Sequence, residues 1–476
     1  MKNEKSNFQL KLKLSVSLMC FQQLIIGCSY VFSSILLAQL REPKSAIKLS
    51  SDEASWIASI PILVCPIALP IIGLLTDKFG RRKTIQLSYV PLILSWLILS
   101  TADSYRTILI GRMILGIVLG SGSCVYVYIA EICPAEQRPF FSAMVSVFMG
   151  FGNIMESSLA VFFHWHTVSI VLAAASSVGC ALLFLVPEPP VWLRNRNQID
   201  AAERSERWWF GADSGEKTKV IAFELVNTVV LPAAAAPPEE NPGAAAAAGD
   251  GQWWSVYARP IVWKPALITL GFFICQQCSG FYVMLFYSVD VLRDFKVPWD
   301  GVTVSVYLFG TRVISSVVYA CLHRVKRKTL AVASCIGMAA SLATIIVYAK
   351  SFDGADRPPF GTVLTLAFVV YVFSGQIGML PMPWILCGEV FPMAVKGTMN
   401  GIVQTGGFVL MFSVIKIYPL MVSILGIQNI WTIFTFICIL SAVFCLFILP
   451  ETKGVPLDVI LTYFEPHKKA IKINLP

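Results

Sequence analysis

Twelve apolar stretches, each long enough to cross a lipid bilayer, constrain the fold of this 476-residue chain more than any other feature. A helix needs about 20 apolar residues to cross the roughly 30 Å of hydrocarbon in a membrane. Hydrophobic residues make up 56% of the chain and charged residues 14%, a balance that a soluble core cannot bury. The sequence therefore predicts an all-α membrane protein with twelve transmembrane helices.

Six of the predicted spans precede a polar middle segment and six follow it. They lie near Leu14–Leu37, Ala54–Leu75, Thr84–Ser100, Ile108–Ala130, Phe141–Phe163, Val168–Val186, Pro265–Val289, Val302–Leu322, Leu330–Ala349, Thr362–Cys387, Gly401–Leu425 and Ile430–Leu449. The spans divide the chain into residues 1–186, 187–263, 264–449 and 450–476. The segment 187–263 begins with the spacing of short helices and continues as an Ala-, Pro- and Gly-rich tether.

The Lys and Arg residues indicate on which side of the membrane the termini lie, because basic loops stay cytoplasmic. One side of the predicted spans carries most of them, among them Lys2, Lys5, Lys11, Lys13, Arg81, Arg194, Arg196, Arg204, Arg207, Arg324, Lys326, Arg327, Lys328, Lys468 and Lys469. We therefore expect the termini and the linker 187–263 in the cytoplasm. Because these residues fall in short clusters between apolar runs, the net charge of +9 does not indicate nucleic-acid binding.

The sequence carries no pattern of an enzyme, a metal site or a cofactor. Its thirteen cysteines lie within the predicted spans or at their cytoplasmic ends without metal-ligand spacing, which is typical of reduced packing residues. It has no nucleophile and base pair and no phosphate-binding loop. We expect the lipid bilayer and a small molecule as partners, and the sequence leaves the oligomeric state open.

A short basic loop, GLLTDKFGRRK, joins the second and third spans at Gly73–Lys83. Gly80 permits a tight turn, and Asp77 can pair with a basic neighbour. A weaker copy, HRVKRK, follows span eight, with His323 in the place of Asp77 and Lys326 in the place of Gly80. We therefore expect the first-half loop to hold more firmly than its counterpart.

Charged residues at the loop ends recur in both halves as an internal repeat, since Glu131 and Arg138 have the same spacing as Glu389 and Lys396. The candidate gating residues are Asp77, Arg81, Arg82, Glu131, Arg138, Glu188, Glu389, Lys396 and Glu451. Charge pairs among them can bias an equilibrium between open and closed states. The alternative is that they are ordinary interfacial charges that set topology.

Six motifs in order along the chain resemble the sugar porter family of the major facilitator superfamily. They are GLLTDKFGRRK, GRMILG with YIAEICPAEQR, PEPPVWL, QQCSG, PMPWILCGEVFP and PETKG. Within that family the chain is most similar to the insect facilitated trehalose transporters, notably in SDEASWIASI before span two. The resemblance implies two six-helix bundles that open a central site alternately to each side of the membrane.

The resemblance also implies a sugar site in spans seven and ten, where amides bind hydroxyls and an indole covers a ring face. The implied residues are Gln276, Gln277, Tyr282 and Trp384. The alternatives are interhelical hydrogen bonding for the glutamines and a membrane-interface position for Trp384. Tyr282, Ser146 and Thr311 stand where the family carries amides. Either the substrate differs from a simple hexose or transport is weak.

Two of the ionisable residues inside predicted spans need separate reasoning, Glu156 in span five and Arg312 in span eight. A rise of about 1.5 Å per residue puts them at similar depths, and an unpaired charge there is costly. We expect a bridge between Glu156 and Arg312. The alternative is that backbone carbonyls satisfy each residue separately.

The leading function is facilitative uniport of trehalose or a related sugar in the plasma membrane. Ser29 occupies the first-span position where proton-driven members of the resembled family carry a carboxylate, which favours uniport. Glu156 keeps a proton-coupled sugar symporter open as an alternative. A second alternative is a sugar sensor or receptor that kept the fold and transports poorly.

Overall fold

The computed structural model describes residues 2–43, 47–134, 137–210, 258–322, 325–352, 361–387, 390–391 and 395–451. Its α-helices are α1 Lys2–Leu40, α2 Ser51–Phe79, α3 Arg81–Ser100, α4 Tyr105–Leu119, α5 Gly122–Ile132, α6 Arg138–Phe162, α7 Trp165–Leu182, α8 Pro190–Asn195, α9 Ile199–Phe210, α10 Pro260–Gln277, α11 Phe281–Phe286, α12 Ser288–Asp294, α13 Gly301–Cys321, α14 Arg327–Ser351, α15 Gly361–Ile377, α16 Pro381–Cys387, α17 Lys396–Leu425 and α18 Ile427–Phe447. No strand occurs in these ranges.

Eleven helical stretches in the described part are long and apolar enough to cross a membrane. They coincide with eleven of the twelve predicted spans, and α4 with α5 forms one of them. The exception is span seven, which is broken into α10, α11 and α12. Gly280 in the first break has φ +84°, and a Cβ there would lie 2.4 Å from the Phe434 ring. Glycine therefore permits both the turn and the close approach.

Local signals explain where α2 begins and ends. Ser50 accepts from the Glu53 N–H at 3.2 Å, while the Glu53 carboxylate accepts from the Ser50 N–H at 2.8 Å, which forms a capping box. The helix ends at Phe79 because Gly80 adopts φ +106°. The turn is tight enough for α3 to begin at the next residue.

The described helices form two compact units. The first contains α1 to α9 together with the segments Leu285–Arg293 and Trp299–Ser316, and the second contains the other described residues. Both segments lie within residues 264–449, which the sequence assigns to the C-terminal half. The predicted domain boundaries stay a prediction.

In the first unit, α1 packs against α6, α2 against α4, and α3 against α7. Glycines allow the closest of these contacts, since a Cβ on Gly152 would lie 1.9 Å from the Leu24 carbonyl oxygen and one on Gly27 would lie 2.1 Å from the Met149 carbonyl oxygen. Small residues permit this backbone approach between membrane helices. The seam between α1 and α6 is therefore a close backbone contact.

In the second unit, α14 packs against α15 and α18, and α10 packs against α17. Trp431 of α18 is fully buried. Its ring contacts Phe295 and Phe368 edge-on at centroid distances of 5.5 and 5.7 Å. Edge-to-face geometry is a favoured arrangement for aromatic rings, so this cluster anchors the unit's interior.

Candidate functional site

Glu188 caps the first turn of α3. Its carboxylate accepts from the backbone N–H of Arg82 at 3.0 Å and of Lys83 at 2.9 Å. The first N–H groups of a helix lack partners within the helix and carry a partial positive charge, so a carboxylate stabilises them. A Cβ on Gly80 would lie 2.6 Å from Glu188 Oε1. Gly80 therefore leaves room for this cap.

Arg81 pairs with Glu131, its neighbour from the end of α5. Arg81 Nη2 lies 2.7 Å from Glu131 Oε1, whereas its contact with the exposed Asp77 carboxylate is longer, at 3.6 Å. Burial raises the pKa of Glu131, and the Arg81 charge acts against that rise. Both pairs join residues of the first unit.

The end of span six and the residues that follow it pack on this loop. Arg82 Nη1 donates to the Val186 carbonyl at 2.9 Å, and Ser205 Oγ donates to the Glu188 carbonyl at 2.7 Å. Trp192 Nε1 donates to the Asp77 carbonyl at 3.2 Å. The short helices α8 and α9, expected from the spacing in the linker, thus support the capped loop.

The second unit contains a matching cap at the start of α14. Glu451 accepts from the backbone N–H of Arg327 at 3.2 Å and of Lys328 at 3.1 Å. Lys326 precedes this helix with φ −60° and ψ 137°, which is extended backbone. The other predicted partners fall outside what the structure describes: His323, Glu389, and the side chains of Arg138 and Lys396.

The two glutamines of span seven have different environments, although both are fully buried. Gln276 Nε2 donates to the carbonyls of Leu380 at 2.6 Å and Met379 at 3.3 Å, at the break between α15 and α16. Gln277 Nε2 donates to Gln276 Oε1 at 3.2 Å, while Gln277 Oε1 has no partner among the described residues. Gln276 therefore makes the interhelical hydrogen bonds that were the alternative to sugar binding. Gln277 keeps an unpaired side-chain oxygen among the described residues.

Trp384 lies between two aromatic rings of the second unit. Its centroid is 4.8 Å from that of Phe273, edge-on, and 5.2 Å from that of Phe408. The indole is half-buried, whereas Tyr282 is buried at 7% exposure. The three rings form an apolar face of the kind that stacks on a sugar ring. The roles of Trp384 and Tyr282 stay predictions.

Arg112 is a fully buried charge that the sequence argument missed. Its Nε donates to the Ile57 carbonyl at 3.1 Å and its Nη1 to the Ser29 carbonyl at 2.9 Å, and Nη2 bonds Ser33 Oγ. It is the arginine of GRMILG, near the start of span four, so a charge inside an apolar run was the available signal. Arg112 joins α4 to α1 and α2 through neutral acceptors.

The expected bridge between Glu156 and Arg312 is not formed. Glu156 is fully buried, and neither of its carboxylate oxygens has a hydrogen-bond partner in the described part of the chain. Asn153, three residues earlier on α6, lies against Arg312 instead. In the amide orientation that gives both its oxygen and its nitrogen a partner, the Asn153 oxygen accepts from Arg312 Nη1 at 3.0 Å. The Asn153 nitrogen then donates to the Gly27 carbonyl at 2.8 Å.

These features define a class of protein. The described part contains eleven helical stretches that can span a membrane, a broken span that carries buried amides, and capped helices at the loop ends. Among the described residues, no group of three or more His, Cys, Asp or Glu side chains is placed to hold a metal ion. These are the features of a multi-pass membrane protein whose spans bury polar side chains.

The family model described as "Sugar (and other) transporter" matches residues 14–464. The chain therefore belongs to this family of transporters, which is not a family of enzymes. This confirms the sugar porter resemblance drawn from the motifs.

The chain is similar to insect proteins named facilitated trehalose transporter Tret1. It is 28% identical over 455 residues to the Apis mellifera ligustica protein, with 95% of this chain and 87% of that protein covered. It is 26% identical to the Drosophila grimshawi and Aedes aegypti proteins over 94% of this chain, and it spans only 46% and 54% of their lengths.

Solved structures of the xylose transporter XylE from E. coli share the fold. The partially occluded inward-open structure has a TM-score of 0.72 at 19% identity, with 94% of this chain and 99% of that chain covered. The complex with 6-bromo-6-deoxy-D-glucose has a TM-score of 0.71 at 19% identity, with 96% and 100% covered. The predicted major facilitator fold is confirmed.

Proposed function

We propose that this protein carries trehalose or a related sugar across the plasma membrane by facilitated diffusion. The family match over residues 14–464 is the observation that carries the proposal. The names of the similar insect proteins supply the substrate class. Both termini lie in the cytoplasm in this proposal, because most Lys and Arg residues flank the spans on that side.

The proposed mechanism is alternating access. Two six-helix bundles, over residues 1–186 and 264–449, open the sugar site to one side of the membrane at a time, and residues 187–263 join them. The caps of Glu188 and Glu451 keep the starts of α3 and α14 intact while the helices move. The Arg81–Glu131 pair contributes to the energy difference between the two states.

Gln277 and Trp384 bind the sugar in this proposal. The free Oε1 of Gln277 can accept a hydrogen bond from a sugar hydroxyl, and the half-buried Trp384 indole can cover an apolar ring face. Gln276 positions its neighbour, because its own amide is bound to the α15–α16 break. Tyr282 stands where the resembled family carries an amide. Its ring favours a substrate with a larger apolar surface than that of a simple hexose.

Uptake of radiolabelled trehalose in oocytes tests the proposal. We expect saturable uptake, and we expect Gln277→Ala to lower kcat/KM about tenfold, since a hydrogen bond to substrate is lost. Gln428→Ala, which deletes an amide at the start of α18, is the matched control and should transport normally. Absence of uptake of every sugar tested, with protein present at the cell surface, would overturn the proposal and favour a sugar sensor.

A proton-coupled symporter is a second candidate, because the Glu156 carboxylate is fully buried and lacks a hydrogen-bond partner among the described residues. Against it, Ser29 leaves the first span without a carboxylate at that position. Sugar accumulation above the outside concentration that depends on a pH gradient, and that Glu156→Gln abolishes, would select the symporter. Equilibration to the outside concentration would select the uniporter.

A further inference from the structure

Two histidines flank a buried tryptophan in the turn between α6 and α7. The sequence there is His164-Trp165-His166, and the proposed transport mechanism uses neither imidazole. In the proposed orientation α1, α3 and α6 each begin on the cytoplasmic side and end on the outer side. The turn that follows α6 therefore lies on the face of the protein that meets the external solution.

The α6–α7 turn is bonded to two other parts of the first unit. The Trp165 N–H donates to Gln39 Oε1 near the end of α1 at 2.8 Å, and Gln39 Nε2 donates to the Phe163 carbonyl at 3.3 Å. His166 Nε2 lies 3.0 Å from the Ala102 carbonyl, two residues after α3. The turn therefore joins the outer ends of α1, α3 and α7.

The two imidazoles meet edge to edge. Nδ1 of His164 lies 2.9 Å from Nδ1 of His166, with ring centroids 5.0 Å apart and planes 13° apart. Rings stacked face to face keep their atoms about 3.5 Å apart, so these rings are not stacked. A zinc ion between two nitrogens that point at each other needs about 4 Å, twice the Zn–N bond length. The spacing therefore fits a proton and is too short for a metal ion.

Hydrogen bonding determines which nitrogen carries each proton. The Ala102 carbonyl can only accept, so His166 Nε2 is protonated. In a neutral His166 the Nδ1 then has a lone pair, to which His164 Nδ1 donates. When one proton is added, His166 donates from both nitrogens and His164 accepts at Nδ1. The pair therefore keeps its contacts with no added proton or with one.

A second added proton breaks the contact. Both Nδ1 atoms would then be N–H donors that face each other at 2.9 Å, on two positively charged rings. Burial and the neighbouring His166 accordingly lower the pKa of His164, and the Glu42 carboxylate acts against that lowering. Since the His164 side chain is exposed, it can leave the contact by swinging into solvent.

Other charges near the pair do not replace this contact. Glu42 lies just beyond the end of α1 and acts on His164 through its charge. Asp103 and Arg106 follow Ala102 in the α3–α4 turn and the first turn of α4. Neither forms a hydrogen bond with His164 or His166 in the described part of the chain. Titration of the two rings therefore decides whether the edge-to-edge contact is kept.

We propose that His164 and His166 form a proton-sensing site on the outer face of the transporter, which holds the α6–α7 turn in place until a second proton separates the rings. The separation loosens the backbone that binds Gln39 of α1. Alternating access needs each bundle to move as a unit, so acid outside the cell lowers transport. Its effect on uptake rests on the proposed transport function, whereas proton binding at the pair does not.

His164→Asn tests the site. The asparagine amide nitrogen takes the place of Nδ1 and can donate to a neutral His166, and a rotated amide offers its oxygen to a protonated one. The amide does not titrate. We expect wild-type trehalose uptake in oocytes to fall at least about threefold when the external pH is lowered from about 7.5 to about 5.0, because both rings then become protonated. Uptake by His164→Asn should change less than about 1.5-fold over the same range.

His467→Asn is the matched control. It removes a histidine from the C-terminal segment 450–476, which the proposed orientation places in the cytoplasm, so it should keep the acid loss of the wild type. An equal acid loss in His164→Asn would overturn the site. Wild-type uptake that stays constant or rises in acid would overturn it as well.

Thermal unfolding of the purified protein in detergent separates a failed site from a failed transport function. Because the folded state lowers the pKa of His164, the protein should lose stability as pH falls through about 6.5, the ordinary pKa of histidine. Between about pH 7.5 and 5.0, the Tm of the wild type should fall about 2 °C more than that of His164→Asn. If the wild type carries no sugar, the transport proposal fails and this difference still tests the site. An equal fall in both proteins would overturn the site independently of transport.

Discussion

The loop before α3 and the loop before α14 place a carboxylate on the same part of a helix, yet they differ in how the backbone makes room for it. Glu188 and Glu451 each accept two N–H groups from the first turn. Gly80 reaches this geometry at φ +106°, whereas Lys326 does so at φ −60°. The cap itself therefore does not demand glycine. Gly80 is needed because Glu188 approaches it so closely.

The largest predicted effect comes from Gly80→Ala. The new Cβ would meet the Glu188 carboxylate, which must move and lose both N–H bonds, and alanine at φ +106° is strained. We expect the free energy of unfolding to fall by about 2–4 kcal/mol, measured by thermal unfolding in detergent. Gly73→Ala is the control: a Cβ there meets nothing within 4 Å inside α2, so stability should stay equal or rise. Equal losses in both variants would contradict this account.

Arg81→Gln should have the next largest effect and should depend on pH. It leaves the Glu131 carboxylate buried without its guanidinium, which costs about 1–3 kcal/mol near neutral pH. Burial already raises the pKa of Glu131 from 4.5. A carboxyl that binds its proton more tightly when folded makes the protein lose stability as pH rises from about 4.5 through the raised pKa. Without Arg81 that loss should extend to higher pH.

Thermal unfolding across pH 4.5 to 8 checks this prediction. Glu203→Gln, at an exposed carboxylate of α9, is the control and should leave the pH profile unchanged. A variant Arg81→Gln that is destabilised equally at every pH would show that the Glu131 charge is not what the arginine offsets.

Removing the caps should have a smaller effect, and a different one in each half. Glu188→Ala should lower the free energy of unfolding by about 1–2 kcal/mol and Glu451→Ala by about 1 kcal/mol or less. The reason is exposure: Glu188 is 6% exposed, whereas Glu451 is half-buried, so water can replace more of its contacts. A larger loss from Glu451→Ala would reverse the comparison.

The smallest effect is expected from Lys326→Gly. Because Lys326 already has an allowed extended backbone, glycine brings no benefit and adds only the entropy cost of a more flexible unfolded chain, about 0.5–1 kcal/mol. A gain in stability would mean that the backbone at Lys326 is strained and that glycine relieves the strain there, as Gly80 does before α3.

The sequence predicted what depends on hydrophobicity and spacing. Eleven of twelve spans, the tight basic loop at Gly73–Lys83 and the amides of span seven could be read from the sequence. The sequence did not predict that Glu188 caps α3, nor the partners of the charges buried inside the spans. A depth estimate placed Glu156 near Arg312, but depth leaves the rotation of a helix open, and Asn153, three residues away, meets the arginine instead.

Partners of buried polar groups depend on packing between distant segments, which a single sequence does not reveal. Arg112 was visible as a charge inside span four, but its three acceptors come from α1 and α2. The grouping of α12 with the first unit was also hidden, because the hydrophobic pattern of Pro265–Val289 runs on through the break at Gly280.

The most direct test of the central claim is counterflow in proteoliposomes that contain the purified chain. Vesicles preloaded with unlabelled trehalose should transiently accumulate labelled trehalose from outside without a pH gradient, because a uniporter exchanges sugar through alternating access. Glu156→Gln should not abolish this exchange. Absence of counterflow in correctly folded protein, or accumulation only under an imposed pH gradient, would contradict the account.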